Sequence, residues 1–365
     1  MNIRNYQNGD ETGINELHNI TYSSTRTLDK WEWEFKQNPL GRTIFVVTED
    51  NGEIKGSQSL IPAYLNIKGE KTYSAKSEAT LLHPDCRGKN LFSRMYELAF
   101  DEAKKDNIKI VWGFTNAVKS FNKIGFSVTT PVSLMWYVNN IGVAWRFVCR
   151  KHIANRKYKV LKSIAALFAL YFLRIYVIMS GLFSRSPKSS GGLAVKPLGG
   201  FNKETDMLFD DFVGDFPDII TLWRNKEDLQ WRTTANPAGE QHIFGLFSNE
   251  KLVGYAVIIF NKEERILTLQ DMIVRKQYLH DGSICLLNKI KAFAKELKAG
   301  LIRNMFVVSE NVISKNNKQC LSVSGFWMMP NKTATVIKVI NDKMDKDFIL
   351  NINNWYITGL FTEGF

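Results

Sequence analysis

The sequence predicts an α/β chain of the α+β kind, two similar sheet-and-helix domains joined by a basic and apolar helical linker. Three observations carry that prediction. Strand-like and helix-like runs alternate through both halves of the chain. Residues recur between the halves at one fixed offset. The charge is concentrated in one stretch, residues 141–203, which holds twelve Lys and Arg and no Asp or Glu and so accounts for the whole net charge of +12. With 365 residues, 45% of them apolar and 12% aromatic, the chain can build two cores, which excludes a disordered protein. Cys86, Cys149, Cys285 and Cys320 stand far apart with no CxxC pair, so neither a metal site nor a disulfide framework is indicated. Residues 1–8 are polar and lack the apolar run of a signal peptide. The expectation is a cytoplasmic protein.

Taken in order, residues 3–36 read as a strand and helical segments, with Trp31, Trp33 and Phe35 packing or lining a groove. Residues 43–48 form a strand, Asn51-Gly52 a hairpin turn, and residues 53–60 the partner strand. Lys68-Gly69-Glu70 then turns into a strand over 72–82. The segment His83-Pro84-Asp85-Cys86-Arg87-Gly88-Lys89-Asn90-Leu91-Phe92 follows. Behind it Leu91, Met95, Leu98 and Ala99 recur at helical spacing, so a helix begins at a Gly-containing basic turn. The unpaired backbone N–H groups at such a start attract an anion, and Arg87 and Lys89 add full charges. A strand over 108–114 ends at Thr115-Asn116, and a short helix leads to Phe121-Asn122-Lys123-Ile124-Gly125-Phe126.

Strand, Arg-Gly-x-x-Leu loop, helix, strand, Asn and Lys-x-Gly-Phe, in that order over residues 1–140, resemble the acyl-CoA core of the GNAT N-acetyltransferase superfamily. The resemblance implies a mixed, mostly antiparallel central sheet flanked by helices. It implies acetyl-CoA, or another acyl-CoA, as co-substrate, with no metal. Arg87, Gly88, Lys89, Asn90 and Leu91 would hold the pyrophosphate. The strand end at Leu81 and Leu82 would splay from its neighbour and pair with the pantetheine arm, and Asn116 would meet the thioester or that arm. Two positions depart from the family pattern. Asn90 stands where a second Gly is usual, and Asn tolerates the left-handed conformation. Phe121 stands where many members place the Tyr that reprotonates the thiolate.

The second half repeats the first. Trp33, Asn38, Pro39, Gly41 and Gly56 are matched by Trp231, Asn236, Pro237, Gly239 and Gly254 at an offset of 198, and Gly125-Phe126 by Gly325-Phe326 at 200. Strands over 241–247, 252–260 and 266–274, a helix over 283–298 and a strand over 302–308 complete the pattern. Where the first half has Arg87-Gly88, the second has Asp281-Gly282, and an Asp repels phosphate. The expected division is therefore a GNAT acyl-CoA-binding domain over 1–140, the linker over 141–200, and a degenerate GNAT-like domain over 201–365. One acyl-CoA site per chain is expected.

In the linker, residues 145–162 carry Arg146, Arg150, Lys151, Arg156, Lys157, Lys159 and Lys162, and residues 164–183 are nearly all apolar but for Arg174. Residues 184–192, rich in Gly and Ser, form a flexible exit. Three readings stay open: a helix in the surface of an anionic membrane over 145–183, a buried bridge, and a transmembrane span. Nucleic acid is not expected as a partner, because the stretch is too apolar for it.

N-acyl transfer requires a neutral amine held against the thioester and a base to take its proton. Glu78 is the candidate base, four residues before Leu82 and on the same face by strand alternation, as in family members with a Glu base. A surface carboxylate is the competing reading. His83 can relay a proton or shape the turn. Cys86 is read as packing, and the terminal carboxylate of Phe365 is a second candidate base by analogy with a tandem family. The expected activity is acyl-CoA-dependent N-acetyl transfer to a primary amine, an amino sugar or cell-envelope precursor, at the inner face of the membrane. The alternatives are aminoacyl-tRNA-dependent aminoacyl transfer to lipid or peptidoglycan, and a non-catalytic acyl-CoA-binding protein.

Overall fold

The computed structural model describes residues 1–154, 156–183 and 192–362. Phe365 and most of the predicted flexible exit lie outside them. The elements run β1 (Asn2–Asn5), α1 (Asp10–Tyr22), α2 (Leu28–Phe35), β2 (Ile44–Asp50), β3 (Glu53–Ile67), β4 (Glu70–Leu82), α3 (Leu91–Lys105), β5 (Ile110–Thr115), α4 (Val118–Lys123) and β6 (Ser127–Val138). There follow α5 (Ile141–Val148), α6 (Lys159–Phe183), β7 (Leu193–Leu198), α7 (Lys203–Asp215), β8 (Thr221–Leu222), α8 (Lys226–Arg232), β9 (Glu240–Ser248), β10 (Lys251–Asn261) and β11 (Ile266–Val274). The chain ends with α9 (Leu279–Glu296), β12 (Leu301–Val307), α10 (Val312–Val323), β13 (Trp327–Met329), β14 (Ala334–Val339) and α11 (Lys346–Leu350).

These elements form two compact units drawn from interleaved segments. The first comprises Met1–Val132, Asp218–Trp223 and Lys332–Trp355, and the second Ser133–Pro217, Arg224–Asn331 and Tyr356–Phe365. In the first unit the strands lie in the order β1-β2-β3-β4-β5-β14-β6, with β8 on the far end of β3. Among the described strands of this unit β4 and β5 pair in parallel and the other neighbours antiparallel, and an isolated parallel bridge joins Ile220 to Trp355. The hairpins β2–β3 and β3–β4 turn at Asn51-Gly52 and Lys68-Gly69, all four at positive φ, as the turn residues predict. Helix α3 lays Met95, Tyr96, Ala99 and Ala103 on the sheet, where they meet Val46, Leu60, Ala75, Val111, Phe121 and Phe126. Each of the larger aliphatic and Phe side chains among these contributes roughly 1.5–3 kcal/mol.

The second unit repeats this plan: β9, β10 and β11 form an antiparallel meander, and β11 pairs in parallel with β12. Several of the repeated residues do the same work in each unit. Asn38 accepts from the Leu40 N–H at 2.9 Å, and Asn236 from the Ala238 N–H at 2.9 Å. Gly56 and Gly254 each lie so close to the next strand that a Cβ would stand 2.8 Å from Leu82 Cδ2 and 2.9 Å from the Ile273 carbonyl, respectively. Trp33 and Trp231 are both core residues.

Candidate acyl-transfer site

Strands β4 and β5 are joined only from Ser74–Ser77 to Ile110–Gly113. Beyond that point no hydrogen bond among the described residues links Glu78–Leu82 to Phe114 or Thr115, so the two strands part. A β-bulge opens β4 at the same place. Ser59 faces Glu78 and Ser57 faces Leu81, so Gln58 opposes two residues, and Ala79 takes φ 49°. The bulge is held from below. Ser57 Oγ donates to the Ala79 carbonyl and Ser59 Oγ to the Glu78 carbonyl, both at 2.9 Å. The Tyr96 hydroxyl, brought up by α3, lies 2.6 Å from Ser77 Oγ and 2.9 Å from Thr80 Oγ1, and Thr80 donates to Gln58 Oε1.

The bulge corrects one expectation. Strand alternation put Glu78 and Leu82 on one face, but the extra residue reverses the parity between them. Leu82 packs toward the α3 core, whereas Glu78 turns to the side of α1 and the loop before α2. There it lies 2.7 Å from Lys76 Nζ, whose side chain is only 3% exposed, while 37% of the Glu78 side chain remains open to solvent. Burial raises the Glu78 carboxyl, but Lys76, the Ala79 N–H and Arg26 outweigh it and hold the group below the usual carboxylate range. On the same side stands His18, which burial and the neighbouring Arg26 push down to about 4, so its imidazole is neutral. Tyr22 joins this cluster and is raised by burial and by Glu78.

The loop after β4 has the predicted form. Pro84–Cys86 makes one 3-10 turn, Gly88 takes φ 79°, and Asn90 takes φ 56° immediately before α3. Asn90 thus occupies the left-handed conformation that a second Gly would. No side chain caps α3, so its first N–H groups point free at their positive end of the helix dipole. Arg87, Gly88, Lys89 and Asn90 are exposed and Leu91 is buried as the loop's anchor. No carboxylate among the described residues pairs with Arg87 or Lys89. Asn116 sits exposed just past the end of β5, where its Oδ1 accepts from Thr333 Oγ1 at 3.1 Å. Phe121 is buried, edge-on to Tyr96 and Phe126, and brings no hydroxyl to the site. Leu81 is buried and His83 caps the 3-10 turn by accepting from the Asp85 N–H.

The second unit has the same parting of strands, and there it is filled. The β11–β12 pairing stops at Leu269 and Asn304, as the β4–β5 pairing stops at Ser77 and Gly113, and a bulge falls at the next residue, Gln270, which the register makes the counterpart of Glu78. Into the gap comes the chain's own segment after Trp355. Gln270 Nε2 donates to the Gly359 carbonyl at 2.9 Å, Thr358 Oγ1 to Asp271 at 2.8 Å, Tyr356 to the Met272 carbonyl, and Phe306 bridges to Thr358. The counterpart of the cradle also differs from the sequence reading. Helix α9 begins at Leu279 rather than 283, so Asp281 and Gly282 are helical and the equivalent loop is Arg275 to Tyr278. Arg275 is taken by Asp211 and by Asp215, the latter at 2.6 Å, and Asp215 also accepts from the Lys276 N–H, so two carboxylates hold this loop where none among the described residues holds Arg87 or Lys89.

Lys76, Tyr96, His18 and Tyr22 escaped the sequence reading. Only Lys76 left a signal, since it shares alternation with Glu78 on β4; the others reach the site through tertiary packing alone. Arg94, exposed on the first turn of α3, adds a further cation beside the cradle.

Residues 2–129 match the model of a family described as an acetyltransferase (GNAT) domain. No curated protein matches the chain. Among solved structures, a GCN5-related N-acetyltransferase from Anabaena variabilis is 10% identical with a TM-score of 0.58, over 93% of this chain and 73% of that one. A conserved protein of unknown function from Enterococcus faecalis, described as a probable N-acyltransferase, is 9% identical with a TM-score of 0.59, over 93% and 72%. The N-myristoyltransferase of Saccharomyces cerevisiae with bound myristoyl-CoA is 13% identical with a TM-score of 0.55, over 92% and 81%. At these identities the likeness is one of fold, and it extends over both halves of the chain. Residues 2–129 are thus similar to the GNAT acetyltransferase domain, and the chain as a whole has the fold of the GCN5-related N-acetyltransferase structures it matches.

Proposed function

We propose that this protein transfers an acetyl or other acyl group from coenzyme A to a primary amine, using one site in the first unit. The observation that carries this reading is the contrast between the two partings. One is open and adjoins a helix start whose Arg87 and Lys89 have no carboxylate partner among the described residues, while the other is plugged by the chain and its Arg275 is held by Asp211 and Asp215. The residues fit the co-substrate. The N–H groups at the start of α3, with Arg87 and Lys89, would take the pyrophosphate. The unpaired backbone of Leu81 and Leu82 would pair with the amides of the pantetheine arm, and Asn116 stands at the mouth of the same gap.

An acyl thioester is already activated, so the chain has to orient the amine and accept its proton. Glu78, ionised at neutral pH, attracts the acceptor as an ammonium and takes the proton directly or through water. The amine nitrogen then forms the bond to the carbonyl carbon and gives up its second proton to solvent, the carbon–sulfur bond breaks, and the thiolate leaves with the electron pair. With Phe121 in place of a hydroxyl, the thiolate takes its proton from water. For the acceptor we favour an amino sugar carried on a cell-envelope precursor, a reading supported by the exposed apolar helix α6, which suits lipid-borne material.

Calorimetric titration of acetyl-CoA into the wild type and into Arg87→Glu tests the site. Micromolar binding abolished by the substitution is the expected result. Binding that survives in Arg87→Glu would remove the cradle from its role, and no binding by the folded wild type would overturn the acyl-CoA reading.

A further inference from the structure

Helix α6 carries the longest apolar run of the chain. Its window Lys159–Met179 has a mean hydropathy of 1.8, yet only 11% of that window is buried. The buried-bridge reading of the sequence therefore fails. On one stripe of the helix Leu170 and Leu173 pack on Val138, Ile266 and Leu301 of the second unit, and Val177, one turn further on, is buried as well. The opposite arc presents Leu161, Ile164, Phe168, Tyr171, Phe172 and Ile175 to solvent, Phe168 at 70% exposure. The patch continues onto Trp327, whose ring meets Phe172 at 5.8 Å and is itself 39% exposed. A contiguous apolar face of this length marks a surface for a partner. A helix with one side packed on its own domain is not placed to span a bilayer; it presents its other side to whatever covers it.

The charge around this face identifies the occupant. At the N-terminal end Arg156, Lys157, Lys159 and Lys162 are exposed; Arg150 and Lys151, next to them, share Glu264 at 3.5 and 3.7 Å. Beside the helix lies a second basic feature, a cavity of about 460 Å³ lined by Arg174, Lys291, Lys295 and Lys298 together with Tyr137 and Asn139. Arg174 donates to the Val138 carbonyl at 3.0 Å and Lys291 to the Ser324 carbonyl at 3.4 Å; no carboxylate among the described residues pairs with any of the four. At about 100° per residue, Arg174 falls about 40–60° around the helix from Ile178 and Tyr171, at the border of the exposed apolar arc. Apolar face, basic flank and basic cavity thus adjoin one another. A second copy of this chain would bring like charges together. An anionic lipid surface supplies both the hydrocarbon and the phosphates.

We propose that α6 lies in the surface of an anionic lipid bilayer, its outward face among the acyl chains and lipid phosphates held by Arg174, Lys291, Lys295, Lys298 and the basic flank. The helix then works as an interfacial anchor, which binds through apolar area and electrostatic attraction together. This inference does not depend on the acyl-CoA reading, and its test is separate.

The test is flotation of the full-length protein with vesicles of phosphatidylcholine alone and with one-third phosphatidylglycerol. Two variants accompany it: Phe168→Ser/Ile175→Ser on exposed apolar positions and Lys295→Gln/Lys298→Gln at the cavity, each checked for fold by circular dichroism. The expected result is wild-type binding to the anionic vesicles only, lost in the apolar variant and weakened roughly thirtyfold in the lysine variant. Equal flotation of wild type and apolar variant overturns the proposal. So does wild-type protein that stays off both vesicles, or that sediments as a dimer which the apolar variant dissolves. Equal binding to both vesicle types overturns the role of the cations.

Discussion

Lys76 and Glu78 form a pair in which the two partners have different surroundings, the lysine enclosed and the carboxylate reaching solvent. That asymmetry suits a group that must meet a cationic amine. The ammonium replaces solvent on the open side while Lys76 keeps the carboxylate ionised. Replacing Glu78 by Gln removes the charge but keeps the shape and the link to the Ala79 N–H, 3.3 Å away. The expected outcome is a fall of about 10²–10⁴-fold in kcat with acetyl-CoA affinity unchanged, read by amine-dependent release of free thiol and by calorimetry. A loss of acetyl-CoA binding instead would make Glu78 a structural residue. The pH dependence has a sign as well. His18 is pushed down to about 4 and stays neutral through the physiological range, so it gives no step near its ordinary value. Glu78 is lowered, so its contribution is present at neutral pH and is lost only as the pH falls through the acidic carboxylate range. A rate profile in which His18→Asn moves an acid limb near pH 6.5 would contradict this assignment.

At the scale of elements, the site is made by two local departures from regular structure, the bulge in β4 and the left-handed pair Gly88 and Asn90 before α3. The second was legible and the first was not. Gly-x-Asn ahead of a helical pattern announces positive φ, but nothing marks Ala79 as a residue at φ 49°, because alanine is no turn signal. Reading β4 as an unbroken strand therefore placed Glu78 on the right strand and misjudged its face. The start of α9 was misplaced for a related reason: Gly282 was read as a loop glycine, whereas it is packed inside the helix against Leu246. Gly88 is the position where the loop tests its own geometry. A Cβ there meets nothing within 4 Å, so Gly88→Ala adds no clash, only the cost of a left-handed alanine, about 1–2 kcal/mol. Acetyl-CoA affinity should fall about tenfold as the loop relaxes and its N–H groups lose their aim, while Asn90→Gly should leave it unchanged. Equal affinities for all three proteins in the calorimeter would show that the loop is not held to this conformation by the ligand.

For the whole molecule, the periodicity of strands and helices and the repeat between halves were readable, because both are local or fixed-offset signals. The membership of the units was not. Strand β14 lies between β5 and β6 in the first unit, pairing Ala334 with Thr115 and Val339 with Ile110 although more than 200 residues separate them in the chain. Val336 and Ile337 are fully buried there, and Val336 belongs to the same core as Met95, Tyr96 and Val111. No pattern in β14 names its partner, since an apolar strand pairs with whatever edge the fold offers. A fragment ending at residue 140 would leave β5 as an open edge and Val111 and Phe126 without their cover, and such an edge invites aggregation. Residues 1–140 alone should show no cooperative unfolding transition and no protection of β5 amides from hydrogen exchange. The same fragment joined through a flexible linker to residues 332–355 should regain both, together with acetyl-CoA binding. Cooperative folding and β5 protection in the unextended fragment would show that β14 is an addition to a self-sufficient domain. The expected dependence makes the last quarter of the chain a structural part of the acyl-CoA site, even though none of its residues lies in the cradle.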